Sequence, residues 1–93
     1  RQAQDDAFDA LEEAVNASLK DTKSTELQEQ ILKVALVLLK KDPTQFAGEV
    51  ILPFYEKNRK GFEASLKSLS EADSSLILKA VKAAAREKAR GNG

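Results

Sequence analysis

The chain contains no cysteine and no histidine. Without cysteine there is no disulfide framework, no thiolate metal site and no thiol nucleophile. Without histidine there is no Ser-His-Asp triad, no His-ligated zinc and no imidazole to move protons. Methionine is absent as well, including at position 1, so the chain is expected to begin inside a longer protein or after processing. No run reaches the roughly 18 apolar residues of a membrane span, and Lys33 interrupts the longest candidate, "ILKVALVLL". No basic segment followed by an apolar stretch marks a signal peptide. The expected location is intracellular, by default cytoplasmic.

What is present favours helix. A length of 93 residues corresponds to one small domain. Ala, Leu, Lys, Glu and Gln abound, and these side chains lose little rotamer freedom in a helix. Hydrophobic residues make up 42% and charged residues 32%, with a formal net charge of zero. The charges are unevenly placed. Residues 1–30 hold Asp5, Asp6, Asp9, Glu12, Glu13, Asp21, Glu26 and Glu29 against Arg1, Lys20 and Lys23. The remainder has the opposite excess. The expectation is that acidic and basic helices neutralise one another within the fold, with charged faces turned to solvent.

Periodicity places helices at about 4–19, 26–41, 43–60, 62–69 and 71–90, with 91–93 as a disordered tail. Phe8, Leu11, Val15 and Leu19 recur at steps of three and four, as one apolar stripe requires. Thr25 and Gln28 have the spacing of a capping box for the second helix. In that helix Leu27, Ile31, Val34 and Leu38 form one line, and Leu32, Ala35, Val37 and Leu39 widen it over most of the circumference. Packing on at least two sides follows. Ser70 and Asp73 have capping-box spacing at the start of the last helix, whose narrow stripe is Leu76, Ile77, Val81, Ala84 and Ala85.

The pair Asp42-Pro43 reads as a joint. Asp42 is a preferred N-cap, and Pro43 at the first helical position gives up an N–H that would lack a partner anyway. Phe46, Val50 and Phe54 then line the third helix, which Pro53 interrupts. The stripe Phe62, Leu66 and Leu69 points away from that line, so a break falls near 59–61, with Gly61 as a left-handed C-cap.

"DALEEAVNASLKD" followed by "TELQEQILKVALVLLKKDP" resembles the paired helices of a HEAT repeat, the unit of α-solenoid proteins. "DPTQFAGEVILPFYEK", with its late Pro53, is similar to the first helix of a second repeat, and "ADSSLILKAVKAAARE" to its closing helix. The insert "NRKGFEASLKSL" is longer than a normal turn within a repeat. The resemblance implies an all-α fold of two antiparallel helical hairpins, with four to five helices. A compact helical bundle is the other architecture of this class.

No acid pair or lysine has a diagnostic catalytic spacing, so no enzyme activity, cofactor or metal site is expected. Zero net charge weighs against nucleic acid. The expected function is a protein–protein interaction or scaffold module offering a helical groove to a partner helix or peptide. A structural oligomerisation or capping piece of a larger assembly is the alternative, with self-association as its mark. Tyr55, Lys57, Arg59 and Lys60 are the candidate partner-binding residues. Tyr55 is the anchor and the three cations form a rim for an acidic amphipathic segment.

Overall fold

The computed structural model describes residues 2–92, with side chains over 6–91. It contains helices α1 (Gln2–Lys20), α2 (Thr25–Lys41), α3 (Ala47–Lys57), α4 (Arg59–Leu66) and α5 (Glu71–Asn92), and no strand among the described residues. The expected tail at 91–93 is replaced by helix through Asn92, and Gly93 lies outside the described residues.

The most apolar helix occupies the centre. α3 packs against α1, α2, α4 and α5, and Ala47, Ile51 and Phe54 have no exposed surface. α2 also touches the other four, which explains why its apolar residues cover so much of its circumference. α3 packs most extensively on α5 and α1, and the helices close on one core that includes Leu11, Val15, Leu32, Phe62, Ile77 and Val81. Each such side chain contributes about 1.5–3 kcal/mol on burial. The radius of gyration is 12.3 Å, against about 12 Å expected for a closed chain of this length. The helices therefore surround a common core.

The joint between α2 and α3 works differently from the sequence expectation. Asp42 is the C-cap of α2, and α3 begins at Ala47 instead of Pro43. The Gln45 N–H donates to the Asp42 carbonyl at 3.0 Å, closing a β-turn with Pro43 in its second position. The Asp42 carboxylate accepts from the Thr44 N–H at 3.0 Å and from the Thr44 hydroxyl at 2.8 Å. The Thr44 hydroxyl and N–H hold the Asp42 carboxyl below its ordinary pKa, against the opposing effect of desolvation. Gln45 then takes a positive φ of 57°, and Phe46 restarts the helical course. An Asp-Pro pair suits a turn as well as a helix start, and the left-handed residue after Thr44 decides for the turn.

Two other caps shift. Ser24, one residue before Thr25, caps α2 by accepting from the Leu27 N–H, and the Gln28 side chain donates to the Thr22 carbonyl. The break between α3 and α4 falls at Asn58, which ends one helix and caps the next by accepting from the Gly61 N–H at 3.1 Å. Gly61 lies inside α4 and no glycine has positive φ among the described residues, so Gly61 is not a left-handed C-cap. The cap expected at Ser70 is present, with its hydroxyl accepting from the Asp73 N–H.

Candidate functional site

α3 buries most of its surface and leaves one stripe open. Glu49, Pro53 and Glu56 recur at steps of four and three, with Val50 beside them. α1 and α5 both pack on α3, and each makes a cleft with this stripe. One cleft, of about 460 Å3, runs between α3 and α5 past Leu52, Pro53, Glu56 and Lys88. A second, of about 300 Å3, lies between α1 and α3 over Phe8, Phe46 and Val50. A third, of about 90 Å3, opens by Thr44 and Gln45 against Ala83. Glu49 lines all three, so they adjoin one another along the open stripe of α3 and are taken together as its groove. Pro53 has no N–H, so the Glu49 carbonyl four residues earlier loses its helical donor.

The groove is acidic. Asp9, Glu12 and Glu49 stand around the smaller apolar cleft, and none of them forms an ion pair among the described residues. Glu56 is held by Lys88 at 3.1 Å, and Glu87 by Arg90 at 3.4 Å. Ion pairs do join α5 to its neighbours, Lys88 with Glu56 of α3 and Asp73 with Lys40 of α2 at 3.4 Å, but the described acidic residues of α1 take no part in them. Among the described residues no ion pair involves α1, because α1 packs on α2 and α3, away from the basic outer face of α5.

The residues singled out in the sequence lie at the far end of α3. The Arg59 guanidinium sits 3.8 Å above the Tyr55 ring, and its Nε donates to the Tyr55 carbonyl at 3.0 Å. Tyr55 in turn meets Phe62 edge-on at 5.1 Å. Arg59 and Tyr55 are therefore held by intramolecular contacts, while Lys57 and Lys60 remain exposed. None of these four lines the groove. Phe46 is a further correction. Expected in the core, it is 42% exposed and stacks edge-on against Phe8 at 5.1 Å. α2, expected to pack on at least two sides, is open only at Val37 among its large hydrophobics.

Among the described residues no group of His, Cys, Asp or Glu has the arrangement of a metal site, and no helix is long and apolar enough to cross a membrane. The serine-rich stretch is largely committed to structure. Ser65 is buried, Ser70 caps α5, and the Ser74 hydroxyl donates to the Leu66 carbonyl at 2.8 Å. Periodicity alone hid the groove. Its lining comes from three helices, and only the exposed step Glu49–Pro53–Glu56 signalled it.

No family model matches the chain, and no curated protein or solved structure does either.

Proposed function

We propose that this domain is a protein-interaction module that receives a partner helix or peptide in the groove along α3. The observation that carries this reading is that three clefts meet at Glu49 along the open stripe of α3. Their linings combine apolar side chains such as Leu52, Phe8 and Val50 with carboxylates. The stacking of α1–α2 on α3–α5 also supports a HEAT-like pair of hairpins, with α4 as an insert between the helices of the second. A purely structural oligomerisation role has less support, because Val37 and Phe46 are the only large hydrophobics left exposed among the described residues.

Panning a displayed random-peptide library against the 93-residue chain tests the proposal. Enriched peptides carrying a photo-crosslinker should attach to the α3 stripe and to its flanks on α1 and α5. Enrichment no greater than on an unrelated small helical protein would remove the interaction-module reading.

A further inference from the structure

We infer that the occupant of this groove is a basic amphipathic protein segment that seats a lysine or arginine in the cleft between α1 and α3. The inference rests on the interaction-module reading and adds the chemistry of the partner. The floor of that cleft is the edge-to-face pair Phe8–Phe46, with rings 5.1 Å apart and 89° between their planes, together with Val50. Its rim is Asp9, Glu12 and Glu49, and no base lines it. A long cationic side chain matches both parts. Its methylenes cover the aromatic carbons while its head stays among the carboxylates, and the ring faces attract the same charge.

The neighbouring cleft continues the sign. Lys88 is the one base in its lining, and Glu56 already holds it at 3.1 Å. An acidic segment would be repelled along the whole path, and so would a nucleic acid, whose phosphates need lysines or arginines opposite them. A second copy of the chain offers the exposed basic end of α5, Arg86 to Arg90. The only apolar side chain there is Ala89. The other exposed basic stretch, Lys33, Lys40 and Lys41 on α2, has Val37 as its one exposed large hydrophobic. Neither fills a cleft of about 300 Å3. The segment must therefore carry large apolar anchors of its own, in register with its cations.

Fluorescence anisotropy on the full chain decides the matter with two designed helical peptides. Both carry leucine at helical spacing, one with lysine and the other with glutamate on the polar face. The lysine peptide should bind and the glutamate peptide should not. Its affinity should fall with salt, since screening acts over about 10 Å at 0.1 M. The double substitution Glu12→Gln and Glu49→Gln, both at exposed positions, should weaken the lysine peptide about tenfold and leave the circular dichroism unchanged. Tighter binding of the glutamate peptide would overturn the inference and leave the interaction-module reading standing. Binding of neither peptide would overturn both. An unaltered affinity in the double variant would show that the lysine peptide sits elsewhere, which also overturns the inference. A dimer in sedimentation that the same substitutions dissociate would make a second copy the occupant, with the same consequence.

Discussion

A β-carbon placed on Gly48 would lie 2.7 Å from the Ala80 carbonyl oxygen and 3.0 Å from the Ala80 methyl carbon. α3 and α5 therefore cross backbone to backbone at Gly48 and Ala80. The obstacle at Gly48 is main chain, which cannot swing aside.

Gly48→Ala should accordingly destabilise the domain by about 1–3 kcal/mol through overpacking. An unobstructed helical glycine would instead gain up to about 1 kcal/mol from the same change. Gly61→Ala is the control. Its added carbon would meet side-chain atoms and no main chain, Asn58 Nδ2 at 2.6 Å, Gln28 Oε1 at 2.8 Å and Asn58 Cγ at 3.1 Å, so it should cost less than Gly48→Ala. Denaturant melts of the two variants give the comparison, and a gain at Gly48 would refute the close crossing.

The core assignment of α2 separates two adjacent stretches of the same helix. Leu32 has no exposed surface, whereas Val37 is 52% exposed. Leu32→Ala should cost about 2–5 kcal/mol. Val37→Ala should stay within about 0.5 kcal/mol of neutral. Equal effects in thermal melts would mean that the helix is turned differently about its axis.

The loop before α3 carries the pH dependence. Asp42 has its carboxyl pKa lowered by the Thr44 hydroxyl and N–H. A carboxyl whose folded pKa lies below its unfolded value stabilises the fold above that unfolded value, about 3.9. The contribution fades as pH falls through the lowered folded pKa. Asp42→Asn should thus lower the melting temperature at neutral pH, and the gap from the parent chain should close as pH drops below about 4. A gap that persists on acidification would show that the charged carboxylate does not hold the loop.

Much of the architecture was legible because long apolar periods survive tertiary packing. The stripes through Leu11 and Val15, Ile31 and Leu38, and Ile77 and Val81 lie where their spacing puts them. Boundaries were less legible wherever one residue type serves two geometries. Asp42-Pro43 fits a turn and a helix start equally well, and only the left-handed Gln45, which no sequence rule marks, separates them. Phe46 was assigned to the core by a period that begins one turn too early. The candidate site at Tyr55, Lys57, Arg59 and Lys60 was read from a cluster of cations beside an amphipathic ring. The reading could not register that Arg59 would fold back onto Tyr55. The groove escaped for a further reason: its walls on α1, α3 and α5 are distant in sequence.

The central claim is that the α3 groove is the surface that meets a partner. Amide chemical-shift mapping of the labelled 93-residue chain with the lysine-faced helical peptide tests it most directly. The account predicts shifts that saturate together at Phe8, Glu12, Phe46, Glu49, Val50 and Glu56, with Lys57 to Lys60 unmoved. Shifts confined to Tyr55, Lys57, Arg59 and Lys60, or no saturable shifts at all, would contradict it.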